Sequence, residues 1–463
     1  MAKKSPFSLL AILFAATGSL AANSTLFKHG TVIGFDAETQ TPKPLYNTSI
    51  LVTGDTIAAI FGADEDDSIE IPQDTEIVSA ENKIISPGFI DTHRHLWQTT
   101  YRTIASNITL LEYMARYSPR SRVPDLFTAE EFYLSQLVGL WEALSAGVTS
   151  LLDHAHNVRS REIAEASLDA YADSGARVWF GYGFDPSDDF PIAERAAHVR
   201  QLISGEQLSG GLVEMGMAFD TWTTASEAEL EEVIKLLKEN QLSILTSHWL
   251  DGPWAFGHNP SLFQRLDILN ESFPIVFSHG TYISPAEHKL LKDYNHYVSI
   301  TPESEMHFGH TNYESDLIMD QAALGIPRNN PISVNQAFHL ATRAGAQALG
   351  RDDLGTLEVG AKADVVTFNG ESINLIGWKD PVAAIILHSH AGDVVDVMVG
   401  GNFVKRNGTL TAESLRNVTE RFRRSAARIQ EEAVKVPYVV QDGLVPNALV
   451  EAVDAVRGPA TGY

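Results

Sequence analysis

Ile85-Ser86-Pro87-Gly88-Phe89-Ile90-Asp91-Thr92-His93-Arg94-His95-Leu96-Trp97 runs from an apolar stretch into two histidines one residue apart. Gly88 to Ile90 predicts a short buried strand. Successive side chains of an extended chain alternate between faces, so His93 and His95 share one and can reach a single cation. Ions of the zinc type take imidazole nitrogens at about 2.0–2.1 Å, and a catalytic site keeps one position open for water. The plainer alternative is a pair of polar residues packed at a strand end.

The chain has 463 residues, enough for one large enzyme domain and a smaller one. Its net charge of −25 argues against nucleic acid or an anionic membrane as partner. A small-molecule substrate is the partner expected, and a homo-oligomer is left open. The absence of cysteine excludes disulfides, cysteine-ligated zinc and thiol nucleophiles. Lys3 and Lys4 precede an apolar run from Phe7 to Ala16, and Ser19-Leu20-Ala21 offers a small-x-small cleavage site. Residues 1–21 therefore read as a signal peptide and the protein as secreted; no later run reaches membrane length. Six Asn-x-Ser/Thr sequons, at Asn23, Asn47, Asn107, Asn270, Asn407 and Asn417, agree with an N-glycosylated product.

Residues 22–87 alternate apolar and polar, with a Gly54-Asp55 turn, and predict a small β unit. From 88 to 352 short apolar runs alternate with helical stretches. Strands are expected at Val148–Asp153, Arg177–Tyr182, Val213–Phe219, Ser243–Ser247, Ile275–Ser278 and Tyr297–Thr301. Thr128 with Glu131, Ser226 with Glu229 and Ser284 with Glu287 are spaced as capping boxes at helix starts. Repeated strand–helix units predict an α/β fold with a parallel (β/α) barrel. Residues 353–410 return to short strands, and 411–463 hold a polar amphipathic helix and a tail. The two flanking β segments are expected to fold together as one β-sandwich.

Barrel active sites sit at the carboxyl ends of the strands. His93 and His95 end the first expected strand, His154 and His156 the second, His248 the fifth and His279 the sixth. That recurrence is the strongest internal argument for a metal site. His154 and His156 read as structural or substrate-facing rather than as ligands. His288, His296, His339, His388 and His390 fall outside the pattern. Trp97, Tyr101, Trp222 and Trp249 lie near strand ends, where they can stack a ring or simply pack.

Pro87 to His95 resembles the first-strand signature of the amidohydrolase superfamily, in the branch of cytosine, S-adenosylhomocysteine and guanine deaminases and triazine hydrolases. Gly355-Thr356-Leu357-Glu358-Val359-Gly360-Ala361-Lys362-Ala363-Asp364-Val365-Val366 resembles that family's segment returning from barrel to β domain. The resemblance spans residues 25 to about 405. It implies a (β/α)₈ TIM barrel with a composite β-sandwich and one divalent metal, zinc or alternatively iron. His93, His95 and His248 match the metal-ligand positions. His279 matches the sixth-strand histidine that in relatives contacts substrate or attacking water.

Two departures follow. Deaminases of this branch carry a proton-shuttling glutamate three residues after the fifth-strand histidine; here that position is Asp251, one methylene shorter. The eighth strand should end in an aspartate that binds metal and takes a proton from water. Between the helix expected at 315–325 and Ser333 the chain offers only Ile326-Pro327-Arg328-Asn329-Asn330-Pro331. Two prolines in six residues cannot make a central strand, and no aspartate is present. The barrel is therefore expected to lack its eighth strand, as in a truncated or mis-spliced product or a degenerate paralogue. Asp251, Glu303, Glu305 and Asp153 are the carboxylates that can stand in.

The function expected is a secreted metal-dependent hydrolase of a non-peptide carbon–nitrogen bond in a small cyclic or amide substrate. His279, Asp251 and Glu303 are its catalytic candidates, and Trp97, His156, Trp249 and Glu305 its substrate contacts. The alternatives are a catalytically impaired homologue lacking the aspartate, and a hydrolase expelling a non-nitrogen group such as halide.

Overall fold

The computed structural model describes residues 24–310, 330–445 and 451–452, apart from residues 186, 188, 206, 207, 209, 240 and 331. The signal peptide expected over 1–21 and the helix expected over 315–325 lie outside these residues.

Five strands open the described chain: β1 (Ser24–Phe35), β2 (Pro42–Thr53), β3 (Thr56–Gly62), β4 (Glu76–Ser79) and β5 (Lys83–Pro87). Seven parallel strands follow in chain order: β6 (Phe89–Arg94), β7 (Val148–Ala155), β8 (Arg177–Gly183), β9 (Val213–Ala218), β10 (Leu245–Leu250), β11 (Ile275–Thr281) and β12 (Tyr297–Ser299). The last group is β13 (Val365–Asn369), β14 (Val394–Val399), β15 (Asn402–Arg406) and β16 (Thr409–Leu410).

The first and last groups make one nine-stranded sheet, in which β13 pairs antiparallel with β5. Sandwich character comes from curling rather than from two separate sheets. Phe27 on β1 and Phe403 on β15 lie four strands apart in the sheet order, about 19 Å if flat. Their ring centroids are 5.9 Å apart. The curled face encloses Phe27, Val32, Ile50, Ile85, Val365 and Met398.

The seven-stranded sheet is the barrel. Its strands are apolar on both faces, as parallel strands covered by helices must be; every residue of β8 is buried. Val178, Phe180 and Tyr182 meet the surrounding helices, while Trp179 joins Ile90, Leu152, Ile244 and Val276 inside. Ala346, Ala348, Leu349 and Leu354 pack against that interior layer from the helix Gly345–Ala348 and the loop after it.

Among the described residues no eighth strand lies between β12 and β6. Thr92 Oγ1 on β6 is instead hydrogen-bonded to Ser299 Oγ on β12 at 2.7 Å. A complete barrel holds its first and seventh strands two spacings, about 9.6 Å, apart. Two short hydroxyl side chains cannot bridge that span, so the barrel has drawn in across the gap.

Local signals mostly act as their chemistry predicts. Thr128–Glu131 and Ser226–Glu229 are reciprocal capping boxes. Ser284 caps its helix, but Glu287 does not complete a box, because its carboxylate accepts from Ser261 N and Oγ instead. Asp364, in the returning segment, accepts two hydrogen bonds from Arg177 at 3.2 and 3.0 Å and one from Gly400 N at 2.8 Å. That buried pair ties the third barrel strand to the curled sheet.

Candidate metal centre

The carboxyl ends of the barrel strands open into a cavity of about 1190 Å³. His93, His95, His156, His248 and His279 line it, from the first, second, fifth and sixth strands and their ends.

Second partners fix the tautomers of two of these rings. His95 Nδ1–H donates to the His154 carbonyl at 2.8 Å, and His248 Nδ1–H donates to Asp220 Oδ2 at 2.7 Å. Each Nε2 therefore carries a lone pair, and the two lie 3.2 Å apart. Two acceptors facing each other repel unless a cation lies between them. Nitrogens bound to one tetrahedral ion at about 2.0–2.1 Å are about 3.3–3.4 Å apart, close to the spacing seen. His93 completes the group: its ring centroid is 4.7 Å from that of His95 and 4.9 Å from that of His248, and its Nδ1 lies 2.7 Å from Ser278 Oγ. The facing Nε2 atoms pair His95 with His248, whereas nitrogen spacing groups His93 and His248 with His154; the imidazole cluster as a whole has the donor chemistry of a divalent-cation site.

His154 is brought in more closely than its sequence position suggested. Ligand-capable nitrogens of His93, His154 and His248 lie within 4.8 Å of one another. Both nitrogens of His154 are engaged, however, Nε2–H with Asp220 Oδ2 at 2.9 Å and Nδ1 with Thr246 Oγ1 at 3.4 Å. It braces Asp220, which also accepts from His248 N at 2.7 Å.

Electrostatics favour the neutral, metal-binding form. Burial, then repulsion from neighbouring imidazoles, holds His93, His95 and His156 well below the ordinary histidine range. Burial pushes His248 down to about 4 against the pull of Asp220. Burial would raise Asp220, but His248 and His154 outweigh it and keep this carboxylate ionised.

His279 sits at a bulge of β11, with φ +78° and Gly280 after it at +64°. A side-chain-bearing residue there stores of order 1–3 kcal/mol of strain, which tends to collect at functional positions. Its Nδ1 lies 2.7 Å from Thr301 Oγ1 and 3.3 Å from Glu305 Oε1. Glu305 thus stands behind His279 and is not on the cavity wall, whereas Glu303 is exposed on that wall. His156 stacks on His95 with centroids 4.1 Å apart and accepts from Trp97 Nε1 at 3.0 Å. Trp97 and Trp249 are fully buried in apolar clusters off the cavity wall. Asp251 also lies off that wall, its carboxylate accepting from Asn259. Asp153 is buried, accepts from Leu96 N, Gln136 and Tyr171, and is pushed up to about 6 by burial.

The sequence reading missed Asp220, His258 and His310. Asp220 lies two residues past the fourth strand, where a carboxylate near a strand end was the available signal. His258 donates to the His248 carbonyl at 3.2 Å. His310 packs edge-on against His279, centroids 4.7 Å apart, with both ring nitrogens buried and unpartnered.

The sequence model described as the amidohydrolase family matches residues 84–318 and 315–404, in two pieces that meet at 315–318. The chain belongs to the amidohydrolase family. Its similarity to a 5'-deoxyadenosine deaminase of Methanobrevibacter smithii is 25% identity over 425 residues, covering 83% of this chain and 94% of that protein. A 5-methylthioadenosine/S-adenosylhomocysteine deaminase of Bacillus cereus is 22% identical over 456 residues, covering 87% and 100%. Among solved structures, a zinc-bound adenosine deaminase of Xanthomonas campestris superposes with a TM-score of 0.73 at 18% identity, covering 88% of this chain and 99% of that one. A zinc complex of atrazine chlorohydrolase from Arthrobacter aurescens gives 0.69 at 19% identity, covering 87% and 100%. The barrel of the amidohydrolase family is thus retained here in seven strands among the described residues.

Proposed function

We propose that this amidohydrolase removes an exocyclic amino group from a heteroaromatic ring of the nucleoside type by hydrolysis. The observation that carries the reading is the facing pair of lone-pair nitrogens on His95 and His248, with His93 beside them in the strand-end cavity. His93, His95 and His248 would hold one divalent cation, zinc by the chemistry of an all-imidazole set. When bound, such an ion polarises the carbon under attack and brings the pKa of water near 7.

The chain's own groups do the rest. Asp220 and the His154 carbonyl aim the two ligand rings. Glu303 on the cavity wall offers an exposed carboxylate that can accept a hydrogen bond from the leaving amine. The cavity is large enough for a nucleoside.

Secretion is part of the proposal. Asn47, Asn107, Asn270, Asn407 and Asn417 are all exposed, which supports glycosylation in a secretory route. A glycosidase-sensitive band in culture medium tests it.

The test of activity is ammonia release from adenosine, 5'-deoxyadenosine and 5'-methylthioadenosine, with chloride release from atrazine run alongside. Ammonia from a nucleoside supports the reading. Chloride alone would move the chain to the halide-expelling class. Stoichiometric zinc without turnover of any probe would favour the impaired homologue, a reading that rests on the aspartate missing from Ile326–Pro331.

A further inference from the structure

Ile326–Pro331 holds no aspartate, and no eighth strand among the described residues brings one to the cavity, so the base is sought among the groups that line it. Glu305 Oε1 accepts from Thr301 N at 2.8 Å and from Thr301 Oγ1 at 3.0 Å. With its proton turned to Glu305, Thr301 Oγ1 presents a lone pair to His279 Nδ1, 2.7 Å away. Glu305 Oε1 itself, 3.3 Å from the same nitrogen, is also an acceptor. Both neighbours of Nδ1 therefore require it to be the protonated nitrogen. That leaves the lone pair on Nε2, and His279 lines the cavity beside His93, centroids 5.3 Å apart. The strained backbone at His279 is a separate sign that this ring is placed deliberately.

We infer that Glu305, acting with Thr301, is the positioning residue that makes His279 the base of this site. The inference rests on the hydrolytic reading above. As the water oxygen bonds to the ring carbon, one of its protons passes to His279 Nε2. The carbon–nitrogen bond then breaks, and that proton leaves with the amine as ammonia. The second water proton stays on the hydroxyl that replaces the amine, so the overall change is R–NH₂ plus water to R–OH plus ammonia. Glu305 stabilises the transient imidazolium from the Nδ1 side, the general logic of an acid, histidine and reacting group in line.

The experiment compares wild type with Glu305→Gln, Glu305→Asp and Thr301→Val. Turnover of adenosine and 5'-deoxyadenosine is followed with zinc content, thermal melting and the ¹⁵N spectrum of histidine-labelled protein. Wild type is expected to hold His279 as the Nδ1–H tautomer, and Glu305→Gln and Thr301→Val to mix the tautomers. Glu305→Gln should lower kcat by about 10²–10⁴-fold, the scale of a misplaced base, with KM and zinc content little changed. Glu305→Asp should recover part of that loss. An Nε2–H tautomer in wild type overturns the inference even if nothing is turned over. So does unaltered kcat in a folded Glu305→Gln. Wild type with the Nδ1–H tautomer but no turnover of any probe would instead defeat the hydrolytic reading.

Discussion

His95 and His248 turn their Nε2 atoms toward each other at 3.2 Å, each having committed its other ring nitrogen as a donor. Removing either ring removes half of that pair. His95→Ala and His248→Ala should each bring bound zinc, measured by elemental analysis, from about one per chain to near zero. Full zinc occupancy in either variant would mean that the pair is not the core of the centre.

Asp220 orients His248 without lining up as a ligand itself. Asp220→Asn keeps the shape but offers an amide where an ionised acceptor stood. Loss of such an orienting carboxylate typically costs 10–100-fold in metal affinity. Chelator competition should show a weakening of roughly that size, and unchanged affinity would assign Asp220 to packing alone.

The cavity histidines also make stability depend on acidity. His248 is held at about 4 and His310 at about 3, and His93, His95 and His156 lie well below the usual range, all chiefly through burial. Between about pH 6.5 and 4 the unfolded chain binds protons that the native chain refuses, so unfolding becomes easier as pH falls. Each group contributes up to about 1.4 kcal/mol per pH unit in that window. Asp153 and Asp185, both raised to about 6 by burial, work the other way, because the native state keeps their protons longer. Five imidazoles outweigh two carboxyls. Metal-free protein should therefore unfold at lower urea at pH 5 than at pH 7; an equal or higher midpoint would contradict this.

Arg177 and Asp364 form a pair in which both side chains are almost fully buried. Truncating one partner of such a pair leaves an unmatched charge and costs about 3–5 kcal/mol. Arg177→Met should lower the urea midpoint accordingly, and pairing it with Asp364→Leu should return much of the loss. A single substitution without effect would show that Gly400 N alone satisfies the carboxylate.

Much of this arrangement was legible in the sequence because alternation in a strand is a hard geometric rule. His93-x-His95 and the histidines closing later strands come together as that rule requires. Strand limits slipped where apolar character carries on: β10 was expected to stop at Ser247 but runs through the buried Trp249 to Leu250. The tryptophans show the weakness of composition. An aromatic at a strand end can face the cavity or the core, and burial of Trp97 and Trp249 is decided by neighbours far away in the chain, Phe132 and Phe277 among them. Asp251 had the spacing of a family position, yet Asn259 holds its carboxylate. Asp220 was invisible for a different reason: its partners His154 and His248 are 66 and 28 residues away, and no local pattern encodes that meeting.

The curled sheet dictates an order of assembly. Phe27 meets Phe403, and Thr56 bridges to Lys362, so the opening strands, though paired with one another, keep one face uncovered until almost the whole polypeptide has left the ribosome. Contacts of such long reach slow folding and leave early strands exposed to wrong pairings meanwhile. The barrel, whose neighbours follow one another along the chain, can form first and then hold the two halves of the sheet for docking. Nascent chains stopped before residue 403 should thus carry an intact metal pocket beside an unfinished, aggregation-prone flank.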